Sequence, residues 1–372
     1  MNLYYVDHIR DGKHIYYFIR YREDMTIVTC PTKYLMHKTR SNRSHNTVRR
    51  IAFSLSYYLT YLEESGMVLS DVFELKYDKQ HLHFTDFLQW LKKGQHNRHE
   101  KKKVPSNNTC NIYLQDVFGW YQFLELQEAE VGDLKVLSSH VVSFSTAVGV
   151  RFSMARKSFR GYLKGEEHVG RTIEEGNIVA LLEQCVNVRD QLLILLLAET
   201  GFRIGEMLGV RYTTDIDYQK QTLRVQYRDD NDNHARAKYA EYRRAKISKD
   251  TFEILMYYLS EYRELLKNTD YLFVTICGDN AGKPLEVGAV YSMLGRLEKK
   301  TGIDATPHML RHYFANERRN SGWDIALISK ALGHKHIATT ERYLNIGADE
   351  LIEATDHYFE QNKSLFMTEQ LV

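Results

Sequence analysis

Gln191-Leu-Leu-Ile-Leu-Leu-Leu-Ala-Glu-Thr-Gly-Phe-Arg-Ile-Gly-Glu-Met-Leu208 reads as a helix, a sharp stop and an immediate restart. Residues 191–198 are apolar on every side but the first, which marks a helix enclosed by a domain core. Thr200-Gly201 breaks it, and Arg203 to Gly209 begins another helix, so Arg203 sits just past a glycine turn. Working outward, Glu174 to Val186, Thr251 to Leu266 and Val287 to Thr301 read as helices, the last with Gly302 at a C-cap position. Thr222 to Tyr227 and Glu241 to Ile247 read as a hairpin with a long polar connection. This half of the chain is expected to be mixed α+β.

Upstream, Leu163-Lys-Gly-Glu-Glu-His-Val-Gly-Arg171 has the glycines and mixed charge of a linker. Before it, apolar residues at three- and four-residue steps (Val48, Ala52, Leu55, Tyr58, Leu59, Leu62) predict a helix capped near Asn46-Thr47. Further helices are expected over Leu82 to Leu91, after the cap Ser106-Asn-Asn-Thr109, and over Val141 to Tyr162. The first forty residues read as strands: Leu3 to Ile9, the turn Asp11-Gly12, His14 to Tyr21, then Met25 to Cys30 ended by Pro31. The expected organisation is a β-rich extension at 1–40, a helical unit at 41–165, and a mixed unit with a helical tail at 166–372. The chain as a whole is mainly α with small β elements.

The net charge of +2 conceals an asymmetry. Residues 1–165 hold 24 Lys/Arg against 16 Asp/Glu, whereas residues 166–372 hold 26 against 32. A basic half joined to a mildly acidic one suits a polyanion-binding module attached to something else. Lys101, Lys102 and Lys103, and the helix start at Asn108 that follows, are candidate phosphate contacts, with Arg43 and Thr47 at the first helix start. The lysine run also fits a solvated loop. The longest apolar run, Leu192 to Ala198, falls far short of the ~20 residues of a membrane span. No secretory leader is expected from Met1-Asn-Leu-Tyr4. Cys30, Cys110, Cys185 and Cys277 are too scattered for a zinc site, and a reducing cytoplasm fits them.

Two more segments carry chemistry. In Thr306-Pro-His-Met-Leu-Arg-His312, Thr306 suits a cap and Pro307 the first helical position, which puts His308 and Arg311 on one face. In Leu332-Gly-His334, the glycine ends a helix and the histidine follows, with Tyr343 nine residues later. The order Arg203 after a TG turn, a lysine-bearing hairpin, HxLRH, LGH, then Tyr343 resembles the catalytic half of the tyrosine recombinase (phage integrase) family. The match covers about residues 170–345, and the helical unit before it resembles that family's core-binding domain.

The resemblance implies a site-specific recombinase of a mobile element, an integrase or transposase. Arg203 and Arg311 would clamp the scissile phosphate of double-stranded DNA, with His308 and His334 beside them and Tyr343 as nucleophile. The hairpin lysine maps best to Lys238, with Lys246 as runner-up; Ser248 stands where the family has proline. Glu206 would hold Arg203, and His312 would be structural. Four protomers would assemble on two duplexes, tied together through the C-terminal helix (Gly347 to Phe366), with accessory DNA-bending proteins as further partners. Tyr358 in that helix lacks the preceding LGH. A non-catalytic DNA-binding protein and a type IB topoisomerase are the alternatives.

The chemistry is consistent with those roles. Attack on a phosphodiester gathers negative charge on nonbridging oxygens, which permanently protonated guanidinium forks bind two at a time. A phenol with a pKa near ~10 needs cations and a base to attack at neutral pH. No cofactor or metal is required by that set.

Overall fold

The structure is a computed structural model that describes residues 3–12, 14–97, 104–127, 134–145, 149–157, 159–166, 170–228, 231–235, 242–335 and 339–340. The chain divides into two compact units, Met1–Glu167 and His168–Val372. Both are mainly helical with small antiparallel sheets, as the sequence implies. No described helix is long and apolar enough to cross a membrane.

The first unit opens with β1 (Tyr4–Asp11) and β2 (His14–Tyr21), paired from Tyr4 opposite Tyr21 to Asp11 opposite His14. Tyr4, Tyr17 and Ile19 bury into the core shared with α1 (Thr29–Arg40) and α2 (His45–Glu64). The expected third strand at Met25 to Cys30 is not there: Ile27 makes one bridge to Arg20, and helix begins at Thr29. Pro31 does not end a strand but lies in the first helical turn, where a missing N–H forfeits no intrahelical bond. Ser44, two residues before the expected cap, accepts from the Thr47 N–H at 3.3 Å.

Short α3 (Leu69–Glu74) leads to α4 (Tyr77–Lys92) and α5 (Asn107–Gln127). Their inner faces meet at Tyr58, whose hydroxyl lies 2.9 Å from His83 Nε2 and 2.7 Å from the Tyr121 hydroxyl. The helix expected across Val141 to Tyr162 is instead a hairpin, β3 (Ser139–Ser145) with β4 (Arg151–Lys157). Serines alternating with apolar residues give these segments a two-residue period, and the Ser143 and Ser153 hydroxyls meet across the pair at 3.0 Å. Gly149, at φ 81°, sits in the connection.

The second unit forms around α7 (Val188–Thr200), which follows α6 (Glu175–Glu183) and whose residues 192–194 and 196–197 are at most 1% exposed. Next come α8 (Ile204–Met207) and a sheet of β5 (Ile216–Asp217), β6 (Thr222–Val225) and β7 (Arg243–Lys246), in that order. The hairpin was expected; the short β5 was not. The helix expected over Thr251 to Leu266 is two pieces, α9 (Lys249–Glu261) and α10 (Arg263–Leu266), parted at Tyr262. Then α11 (Val287–Thr301), α12 (Pro307–Asn320) and α13 (Ile325–Leu332) follow. Ser248 caps α9 and bonds Glu199 of α7 through its hydroxyl at 2.7 Å, so a serine fastens this strand exit to the core.

Candidate active site

Two helix-ending turns and the start of α12 meet here. Gly201 ends α7 at φ 62°, and a Cβ on it would lie 2.5 Å from Phe314 of α12. Only glycine meets both the left-handed backbone and that close approach. Arg203 follows as the N-cap of α8. Gly333 ends α13 at φ 63°, against the guanidinium of Arg243, and His334 comes next.

Arg311 joins the first turn to the last. Its side chain is 1% exposed; Nη1 donates to the Gly201 carbonyl at 2.5 Å and Nη2 to the Leu332 carbonyl at 2.6 Å. Nη2 also lies 2.9 Å from His334 Nε2. Thr306 caps α12 through the Met309 N–H, and Pro307 fills its first position, so the helix start that presents His308 and Arg311 forms as the sequence requires.

Glu206 lies between the arginines with no exposed side-chain surface. Its Oε2 accepts from the Arg203 backbone N–H at 2.7 Å, and its Oε1 from Arg203 Nη1 at 3.0 Å. Arg243 of β7 grips the same carboxylate from another side, and Arg311 Nη1 stands 4.0 Å from it. Burial alone would raise the Glu206 pKa, but Arg243 and Arg203 outweigh it and hold the carboxyl below the usual range. Three guanidinium groups around one carboxylate leave a net positive pocket that suits an anion. Arg203 keeps 23% of its side chain exposed, enough to meet one.

The histidines differ. His334 is buried, and its pKa is driven down to about 3 by that burial and by the charges of Arg311, Arg203 and Arg243. Its Nδ1 lies 2.9 Å from the hydroxyl of Thr340. His308 is exposed at the start of α12; partial desolvation and the Arg311 and Arg203 charges push its pKa down as well. His312 is 3% exposed, its ring edge-on to His308 with centroids 4.8 Å apart, and Gly170 lies directly against it.

The structure thus brings together Arg203, Glu206, His308, Arg311, His312 and His334. Lys238, Tyr343, Tyr358 and the expected C-terminal helix lie outside the described residues. Lys246 is exposed on the β7 face opposite Arg243 and donates to the Lys220 carbonyl at 2.6 Å, away from the cluster. Sequence reasoning missed Arg243 and Thr340. Strand alternation was the available signal for Arg243, since it makes residues 243 and 245 face alike.

Of the phosphate-contact candidates, Lys101, Lys102 and Lys103 lie outside the described residues. Arg43 is exposed, and Thr47 sits in the first turn of α2 with its hydroxyl 2.8 Å from Ser44. Asn108 is already engaged: its amide donates to the Glu166 carbonyl at 2.9 Å, and the Asn107 N–H donates to the Glu166 carboxylate at 3.0 Å. The chain supplies its own anion to the start of α5.

Residues 171–350 match the family model described as phage integrase family. Transposase A from transposon Tn554 of Staphylococcus aureus is 28% identical over 353 residues, covering 89% of this chain and 91% of that protein. Tyrosine recombinase XerA of Saccharolobus solfataricus is 33% identical over 181 residues, 49% of this chain and 54% of that protein. Among solved structures, XerH site-specific recombinase bound to palindromic difH substrate superposes with a TM-score of 0.60 at 16% identity, covering 88% of each chain. The Tn1549 transposon integrase in complex with transposon right end DNA gives 0.59 at 17% identity, covering 90% of this chain and 98% of that one.

Proposed function

This chain belongs to the phage integrase family of tyrosine recombinases, and from that membership we propose that Arg203, Arg311, His308 and His334 hold one DNA phosphodiester for attack by Tyr343. The protein is a site-specific DNA recombinase of the integrase/transposase kind. The observation that supports the residue roles is Arg311: one side chain holds the Gly201 and Leu332 carbonyls and approaches His334, so segments over a hundred residues apart converge on one anion-seeking pocket.

In the proposed reaction the Tyr343 oxygen bonds to phosphorus as the bond to the 5′-oxygen breaks. His308, whose pKa is pushed down by partial burial and by the Arg311 and Arg203 charges, accepts the phenolic proton. The arginines take up the charge gathering on the nonbridging oxygens; a preorganised donor of this kind is worth about 3–4 kcal/mol of barrier. Lys238 gives a proton to the departing 5′-oxygen. The 3′-phosphotyrosyl link keeps the ester energy, and a 5′-hydroxyl from the partner duplex reverses the step. No external energy source is consumed.

The same reading gives double-stranded DNA as partner, and a tetramer on two recombination sites with the C-terminal helix joining protomers. Accessory DNA-bending proteins would shape the complex, and the work would take place in the cytoplasm. The basic first unit, with Arg43, Thr47 and the lysines at 101–103, would hold the duplex backbone.

The test is a nicked duplex bearing a candidate site, incubated with the protein and then denatured. The expected result is a protein–DNA adduct that survives denaturation and disappears in Tyr343→Phe while binding persists. An undiminished adduct with Tyr343→Phe would mean that another side chain is the nucleophile.

A further inference from the structure

We propose that Arg243 is a positioning residue for strand cleavage, which fixes Arg203 through Glu206 and braces the Gly333–His334 turn; this rests on reading Arg203 and Arg311 as the phosphate clamp. Arg243 opens β7, is 8% exposed, and directs both terminal nitrogens at Glu206, with Nη1 3.2 Å from Oε1. Arg203 holds the same carboxylate through its backbone N–H and Nη1. One buried carboxylate is thus a rigid link between two guanidinium groups, and only the partly exposed one can meet DNA.

Two further contacts fix the brace. The Arg243 guanidinium lies over the Phe202 ring, 5.0 Å from its centroid, beside the residue whose direction it sets. It also backs onto Gly333, where a Cβ would fall 2.3 Å from Nη1. A single side chain on the second strand of the hairpin therefore gauges both the Arg203 cap and the turn that carries His334. Stability alone is poorly served by this arrangement. Buried ion pairs are often replaceable by apolar residues without loss, and the Arg243 Nε has no hydrogen-bond partner among the described residues. Without Arg243, the nearest other guanidinium to Glu206 Oε2 outside Arg203 is that of Arg311, at 4.0 Å. A Glu206–Arg311 pair would draw the second clamp off its carbonyls.

The experiment uses the full chain, wild type and Arg243→Gln, Arg243→Lys, Glu206→Gln and the Glu206→Gln/Arg243→Gln double variant. It measures single-turnover adduct formation on the nicked duplex, DNA affinity, and thermal unfolding. Arg243→Gln is expected to slow adduct formation by about 10–100-fold with affinity within about threefold, and Arg243→Lys to recover part of the rate. In the Glu206→Gln background the same change should cost no more than about threefold, because the carboxylate transmits the effect. Wild-type speed in Arg243→Gln, or an undiminished loss in the Glu206→Gln background, overturns the proposal. If Arg243→Gln does not fold, Arg243→Lys decides: slowed cleavage at unchanged affinity supports the brace, and wild-type speed overturns it. Arg203→Ala separates the two readings. A fully active Arg203→Ala removes the site assignment itself, whereas an inactive one beside an active Arg243→Gln removes only the brace.

Discussion

Nη2 of Arg311 lies 2.9 Å from Nε2 of His334, and the direction of that hydrogen bond fixes the state of the ring. A guanidinium donates and does not accept, so Nε2 is the acceptor and the ring proton is on Nδ1, facing the Thr340 hydroxyl at 2.9 Å. The imidazole is neutral.

Acid should therefore destabilise the second unit through His334. Its folded pKa is about 3 against about 6.5 in the unfolded chain. Between those values the unfolded state binds a proton that the folded ring refuses, so the stability is intact above about pH 6.5 and is lost as pH falls toward 3. The slope contributed is at most about 1.4 kcal/mol per pH unit. His83 in the first unit, pushed to about 4 by burial, adds to the wild-type loss. Denaturant unfolding at pH 7.5 and 5.0 should show a smaller loss for His334→Gln than for wild type. Equal losses would mean the ring is charged in the native protein.

Gly201→Ala should damage fold and chemistry together. Its φ of 62° strains an L-residue, and the new methyl would meet Phe314 at 2.5 Å and Leu332 at 3.1 Å. A loss of about 1–3 kcal/mol is expected. The Gly201 carbonyl is also an acceptor for Arg311, so cleavage should fall at temperatures where the variant is still folded. A folded variant with the wild-type cleavage rate would disconnect this turn from the site.

The two hairpin lysines should separate cleanly. Lys246→Ala removes an exposed bond to Lys220 and should leave cleavage within about twofold. Lys238→Ala should be slow on ordinary DNA and regain speed when the 5′-bridging oxygen is replaced by sulfur, which departs without a proton. Rescue of Lys246→Ala instead would transfer the role.

Salt titration tests the first unit. Replacing Lys101, Lys102 and Lys103 with alanine should flatten the dependence of log affinity on log salt, by about 0.9 for each phosphate no longer neutralised. Asn108→Ala should leave that slope unchanged and lower thermal stability, because its amide already bonds Glu166. The opposite pattern would place Asn108 on the phosphate and the lysines off it.

Legibility followed the range of the interactions. The starts of α7, α8 and α12 depend on neighbours within four residues, namely Asn187 with Asp190, Arg203 with Glu206, and Thr306 with Met309, and such signals can be read along a chain. Glu206 was found from Arg203 for the same reason. Arg243 was not: strand alternation sets it on the face of Ala245 and opposite Arg244, but its partner Glu206 stands 37 residues away. At Val141 to Tyr162 the serine–apolar alternation carried the strand signal, and a helical reading missed it. At Pro31 a residue taken as a terminator belongs to the first turn of a helix.

A reactive group that also laces two turns together ages differently from one that does not. Arg311 holds the Gly201 and Leu332 carbonyls, so a lineage that drops it must repack an interior as well as forgo a reaction. His308 is exposed at a helix start, with its ring edge-on to that of His312. In descendants that keep gripping DNA after cutting has been abandoned, drift should erase the surface imidazole early and leave the interior guanidinium standing as a fossil of the lost chemistry.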